Sequence, residues 1–132
     1  MYERLAEAEE MTLVLNLPHQ IVDTPNAKRL KVKEGKIKFD KVSFKYDDGE
    51  EIIKNIDFEI KPGQTVALVG LSGSGKSTLT KLLLRLYDVT SGKILIDNQD
   101  ISKVNQESLR KNVSLVPQDP ILFHRNLMEN IR

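Results

Sequence analysis

The sequence predicts an α/β fold in which an antiparallel β-hairpin precedes a strand–loop–helix unit. Three observations carry that expectation. Ile37 and Phe39, and then Val42, Phe44 and Tyr46, alternate with polar residues as a half-buried strand does. Thr65-Val66-Ala67-Leu68-Val69 is apolar on both faces, which suits the buried central strand of a parallel sheet. Leu79, Leu82, Leu83 and Leu86 then recur at helical spacing, directly after a glycine-rich stretch.

Residues 1–13 read as a short acidic helix with a weak apolar stripe, and residues 16–35, with Pro18, Pro25, Asn26 and Gly35, as a linker. Within it, Lys28-Arg29-Leu30-Lys31-Val32-Lys33 reads as a solvated basic edge, with a lipid-headgroup contact as the lesser alternative. Domain bounds of 1–34 for the linker and 35–132 for the folded unit follow. The alternation changes parity near Asp40-Lys41, which predicts a bulge or strong twist. Asp47-Asp48-Gly49 is a turn signal, and Ile56, Phe58 and Ile60 form the second strand of the hairpin, with Tyr46 at its rim. After the apolar run come a helix from Lys76 to about Tyr87, a short strand from Gly92 to Asp97 and a helix over Glu107–Lys111. Val113-Ser114-Leu115-Val116 is a second buried-strand candidate, stopped by Pro117, and a last helical turn is expected at Leu127–Ile131.

The bulk properties narrow the class of function. With 132 residues, 39% hydrophobic and 30% charged, the chain suits one ordinary globular domain. Lys plus Arg number 20 against 19 acidic residues, so no global charge favours nucleic acid or an anionic membrane. The absence of cysteine removes disulfides and thiolate metal sites. No stretch reaches the roughly 18 apolar residues that a membrane span requires, and the start lacks the pattern of a signal peptide. The piece itself reads as soluble, which does not exclude a membrane protein as its source.

The strongest chemical signal is Gly70-Leu71-Ser72-Gly73-Ser74-Gly75-Lys76-Ser77-Thr78, which satisfies G-x-x-x-x-G-K-[ST] in full. Gly70, Gly73 and Gly75 let the backbone fold back and turn its N–H groups inward, which side chains would obstruct. The following helix adds its N-terminal dipole and free amides. Lys76 supplies a point charge for the β- and γ-phosphates, and Ser77 a hydroxyl for Mg²⁺, an ion that prefers oxygen ligands and keeps its waters. The bland alternative, a Gly-Ser turn before a helix, does not require this spacing.

Two further residues gain meaning from position. If the runs 65–69 and 113–116 lie parallel in one sheet, their carboxyl ends share the edge where ligands bind in open α/β folds, and Gln118 reaches the γ-phosphate and Mg²⁺. Alone, Gln118 would be a surface or turn residue. Tyr46 would alone be half-buried packing; as a base platform it would stack on adenine, which is worth about 1–3 kcal/mol. No N-K-x-D stretch for reading guanine is present, which favours ATP. His19 and His124 are isolated, with no second ligand at metal spacing.

Taken together, Tyr46 in Phe44-Lys45-Tyr46-Asp47-Asp48-Gly49, the loop from Val69 to Leu79, and Gln118 in Val116-Pro117-Gln118-Asp119-Pro120-Ile121-Leu122-Phe123 resemble the nucleotide-binding domain of ABC transporters. In that family they are the A-loop, Walker A and the Q-loop. Ser91-Gly92-Lys93-Ile94-Leu95-Ile96-Asp97 and Leu109-Arg110 are similar to the family too, so the resemblance runs from about Gly35 to the C-terminus. Tyr2 to Glu9, Asp23-Thr24-Pro25-Asn26-Ala27 and the stretch from Phe123 to Ile131, with Glu129-Asn130-Ile131, are similar to bacterial multidrug- and lipid-exporter-type members, although Asn126 stands where those usually have Ser or Thr.

The resemblance implies a P-loop NTPase (RecA-like) core with an N-terminal antiparallel β subdomain. It implies an ATPase that uses ATP and Mg²⁺, pairs with a second nucleotide-binding domain, and drives a transmembrane domain from the cytoplasmic face of a bacterial inner membrane. By resemblance Tyr46 takes adenine; Gly70, Ser72, Gly73, Ser74, Gly75 and Lys76 line the phosphates; Thr78 meets the α-phosphate; Ser77 and Gln118 serve Mg²⁺; and Gln118 also senses the water. The signature sequence, Walker B with its catalytic Glu, and the switch histidine have no match here. The chain therefore reads as a truncated, N-terminal portion that binds ATP without turning it over. Two alternatives are an ABC ATPase of nucleic-acid repair or translation, and a non-catalytic interaction module. The linker and near-zero net charge oppose the first; Tyr46, Lys76 and Gln118 oppose the second.

Overall fold

A computed structural model describes residues 21–47 and 49–117. Gln118 and the helical turns expected at the two ends lie outside these residues. The centre is a four-stranded antiparallel sheet of order β2-β1-β3-β4, formed by β1 (Ile37–Lys45), β2 (Glu51–Ile60), β3 (Ser91–Ile96) and β4 (Gln99–Asp100). Helix α1 (Lys76–Leu83), a 3₁₀ turn at Ile101–Lys103 and helix α2 (Gln106–Asn112) complete it.

The expected hairpin is present, and so is its bulge. Phe39 faces Phe58, but the next partners are Val42 and Ile56, so β1 carries one extra residue there. The same irregularity falls between Asp40 and Ser43 on the β3 side, and Lys41 takes φ 50°. An inserted residue shifts alternation by one, which is why Phe39, Val42 and Phe44 are all buried despite their change of parity. The bulge also dictates Gly92: at φ 77°, a Cβ there would collide with the carbonyl oxygens of Lys41 and Asp40.

Beyond the expected strand at Gly92–Asp97, the structure adds a second hairpin. Asp97 and Asn98 have φ of 47° and 63°, the conformation of a two-residue turn with both central residues left-handed, and the chain returns as β4. The core lies against one face of this sheet, where Leu79 and Leu82 of α1 and Leu109 of α2 pack with Ile53 and Ile94. Leu82 and Leu109 are fully buried, each burial contributing about 1.5–3 kcal/mol.

Helix α1 is shorter than its leucine spacing suggests, stopping at Leu83 instead of continuing to Tyr87. The Leu86 amide donates to the Lys81 carbonyl (2.9 Å) and the Arg85 amide to that of Leu82 (2.9 Å), with Arg85 at φ 50°. This is a Schellman ending with arginine where glycine is usual. The Arg85 side chain compensates: it is buried and donates to Asp88 Oδ1, Asp23 Oδ1 and the carbonyls of Val104 and Val22.

The segment before β1 lies along the β4 edge. Leu30 enters the core while Arg29, Lys31 and Lys33 face solvent, consistent with a solvated basic edge. Gln99 exchanges two hydrogen bonds with the Lys31 backbone, and Asp23 accepts from the Gln106 amide at the start of α2. Asn105 caps that helix by accepting from the Ser108 amide at 3.0 Å.

One expectation is corrected. The runs 65–69 and 113–116 are not strands here, in parallel or otherwise, and neither pairs with the other among the described residues. Val69 and Val116 are 90% and 88% exposed. A strand buried on both faces needs ladder partners and covering layers. The four-stranded sheet lends these runs neither.

Candidate nucleotide-binding site

The glycine-rich loop joins residues 65–69 to α1. Gly75 is the N-cap of α1 at φ 85°, and no side chain caps the helix there. Lys76, Ser77 and Thr78 occupy its first three helical positions, whose N–H groups have no intrahelical acceptor. They sit at the positive end of the helix dipole, which makes the terminus receptive to an anion.

Lys76 organises the loop. Its Nζ donates to the Gly70 carbonyl (2.9 Å), the Leu71 carbonyl (2.6 Å) and Ser74 Oγ (3.3 Å). The first two tie the loop's entry to its exit and hold the ammonium in its mouth. The Ser74 amide also donates to the Leu71 carbonyl at 3.3 Å, closing a turn around Ser72 and Gly73. Residues 70 to 74 are exposed, so the concave side is open to a ligand. Ser77 is exposed, whereas Thr78 is buried.

Gly75 also fixes where the loop sits. A Cβ there would lie 2.7 Å from Ile53 Cδ1 and 3.3 Å from Ile52 Cγ2, so β2 packs directly against the loop–helix junction. Phe44 pairs with Ile53, and Lys45 with Glu51, at the end of the hairpin that carries Tyr46. The hairpin tip and phosphate loop therefore abut. Tyr46 is half-buried, its ring perpendicular to those of Phe44 (centroids 4.8 Å apart, 85°) and Tyr87 (5.0 Å, 85°). Among the described residues no three or more His, Cys, Asp or Glu converge as a metal site. The Ser77 hydroxyl, exposed in the first turn of α1, is an oxygen donor of the kind that Mg²⁺ accepts.

The model of the ABC transporter family matches residues 53–131, from β2 through the loop and beyond. The chain belongs to the ABC transporter family. It is 49% identical over 126 residues to "ATP-binding cassette sub-family B member 6" of Xenopus tropicalis, spanning 96% of this chain and 15% of that protein. It is 46% identical over 134 residues to "Iron-sulfur clusters transporter ATM1, mitochondrial" of Debaryomyces hansenii, spanning 98% of this chain and 19% of that one. A solved bacterial Atm1-family ABC exporter with ATP bound superposes with a TM-score of 0.82 at 44% identity, over 92% of this chain and 22% of the exporter. The chain thus spans about a sixth to a fifth of the length of these relatives.

The ABC fold accounts for the phosphate loop and the antiparallel sheet packed against it. Gly70 to Thr78 form one continuous loop and first helical turn, as their adjacency in the sequence implies. Sequence reasoning missed the contact of Ile52 and Ile53 with Gly75, and that of Tyr87 with Tyr46. Both join residues distant in sequence; the only local hint was the aromatic at position 87 breaking the run of leucines.

Proposed function

We propose that this ABC domain binds Mg-ATP and is the ATP-binding part of an exporter that couples hydrolysis to transport. The observation that carries the reading is the loop closed by Lys76, with the uncapped first turn of α1 beside it. An ammonium has three donors, and the bond to Ser74 Oγ, the longest of its three at 3.3 Å, is the one a phosphate oxygen replaces at least cost. Gly70, Ser72, Gly73, Ser74 and Gly75 then surround the β- and γ-phosphates, and the Thr78 amide reaches the α-phosphate. Tyr46 supports adenine from the adjoining hairpin tip. Ser77 and Gln118 are the protein's oxygen ligands toward Mg²⁺, and Gln118 also orients water.

Phosphoryl transfer needs a positioned water and stabilised charge beyond a phosphate cradle. The residues here supply the cradle, so this chain by itself binds ATP without turnover. In the whole transporter, residues 1–34 join the folded unit at 35–132 to a transmembrane domain, and two nucleotide-binding domains close on two ATP molecules. The domain works at the cytoplasmic face of a bacterial inner membrane. Affinity of the chain for Mg-ATP is expected in the range of about 1 μM to 1 mM, or roughly −8 to −4 kcal/mol. Titration calorimetry with wild type and Lys76→Ala tests the site: the variant loses most of the heat, and equal heats would remove the phosphate assignment.

A further inference from the structure

We infer that Tyr87 is a positioning residue for the adenine platform, a role that rests on the reading of Tyr46 just given. Tyr46 lies one residue beyond the end of β1, where the ladder no longer fixes it, and its carbonyl accepts from the Gly49 amide in a tight turn. A ring at such a place turns freely unless something packs against it. Phe44 and Tyr87 both do, and they also meet each other, with centroids 5.7 Å apart, so the rings form a closed triangle. Phe44 belongs to the strand that carries Tyr46. Tyr87 comes from the other side, four residues past the end of the helix whose first turn holds the phosphates.

Tyr87 is itself held. Arg85 and Asp88, on either side of it, are joined by an ion pair of 3.0 Å, and Arg85 is buried. Thr90 then docks on β1: its amide donates to the Ser43 carbonyl at 2.9 Å, and its hydroxyl accepts from the Lys45 amide at 3.2 Å. The helix and hairpin thus meet at two points, Gly75 against Ile53 at the phosphate end and Tyr87 against Tyr46 at the base end. A nucleotide spans both ends, so the second contact sets the plane on which adenine stacks relative to the phosphates. Perpendicular aromatic pairs attract each other beyond what their buried area supplies. That is enough to hold one rotamer of an otherwise free ring.

The test compares Mg-ATP with Mg-tripolyphosphate, which has the phosphates and lacks the base, by calorimetry on the full chain. Tyr87→Ala and Tyr87→Leu, the latter retaining apolar bulk, should each weaken Mg-ATP about threefold to tenfold while tripolyphosphate binding stays at the wild-type value. Tyr87→Phe, which keeps the ring, should bind both as wild type. In a Tyr46→Ala background, Tyr87→Leu should produce no further loss. A Tyr87→Leu variant that binds ATP normally, or that loses ATP and tripolyphosphate equally, overturns the inference while leaving the phosphate site standing. If Lys76→Ala also leaves tripolyphosphate binding intact, the nucleotide reading itself fails.

Discussion

The carboxylate of Asp97 is bound to the backbone of Lys33, with Oδ2 2.6 Å from the amide nitrogen, and it goes on to accept from the three amides that follow. Glu34 and Gly35 donate to the same oxygen and Lys36 to Oδ1, so the strap before β1 wraps its N–H groups around one side chain. Those backbone bonds, that of Lys33 foremost, favour the charged form and lower the pKa of Asp97 from 3.8 to about 2. A depressed carboxylate pKa stabilises the fold fully above the unfolded value and loses its effect as pH falls through the folded one. The contribution of Asp97 is therefore present above about pH 4 and lost between about pH 4 and pH 2. Thermal melts of wild type and Asp97→Asn across that interval should converge at the acid end, with the variant less stable at neutral pH. A constant separation would mean that the strap is held by other contacts.

A second strap contact involves a buried charge. Arg85 has a side chain 3% exposed and pairs with Asp23 (3.3 Å) and Asp88 (3.0 Å), whose side chains are 29% and 47% exposed. Removing one member of a buried, hydrogen-bonded pair costs about 3–5 kcal/mol, most of it from what is left unpaired. Here the remaining carboxylates reach water, so Arg85→Ala should fall near or below the lower bound. Its left-handed backbone supplies a sharper test. Glycine accepts φ 50° without penalty, so Arg85→Gly should be more stable than Arg85→Ala by about 1 kcal/mol, reversing the usual order at a helix. Denaturant midpoints of the two variants measure this directly. The opposite ranking would remove the left-handed ending of α1.

Local rules account for what the sequence made legible. The parity change at Asp40-Lys41, the turn at Asp47 to Gly49 and the glycine spacing of residues 70 to 75 are each written within a few adjacent residues, and the structure realises each of them. The early end of α1 was less legible because leucine spacing continues past Leu83, while the compensation for a left-handed Arg85 comes from Asp23, far back in the chain. The β4 hairpin depended on a turn at Asp97-Asn98 that has no glycine to announce it. The parallel pairing of 65–69 with 113–116 has only apolarity to announce it. Apolarity states that a strand must be covered, and it does not state by what.

Packing at Gly75 predicts a coupled pair of substitutions. Gly75→Ala forces a left-handed alanine, costing about 1–2 kcal/mol, and drives its Cβ to 2.7 Å from Ile53 Cδ1. Overpacking adds about 1–3 kcal/mol. Ile53→Val removes that δ-methyl group and alone costs about 0.5–1.5 kcal/mol. In the double variant the closest clash is gone, while the 3.3 Å approach to Ile52 Cγ2 and the backbone strain remain, so the loss should be smaller than the sum of the two single losses. A double-mutant cycle by chemical denaturation reads the difference. Strict additivity would place Ile53 out of reach of the loop.

The exposed apolar runs carry the last prediction. Val66, Leu68 and Val69 are 43%, 46% and 90% exposed, and Leu115 and Val116 are 54% and 88% exposed. Segments outside the sheet with exposed apolar side chains offer surface to a neighbour. This 132-residue chain should therefore self-associate with rising concentration and enhance the fluorescence of a dye that binds apolar surface. Val116→Lys leaves the sheet, the phosphate loop and Tyr46 untouched and places a charge where the second run is 88% exposed. Sedimentation velocity should show it shifted toward monomer, with the melting temperature unchanged because Val116 contributes little to the folded core. Association that persists undiminished in the variant would locate the contact on another face, with the basic strip at Arg29, Lys31 and Lys33 the next surface to alter.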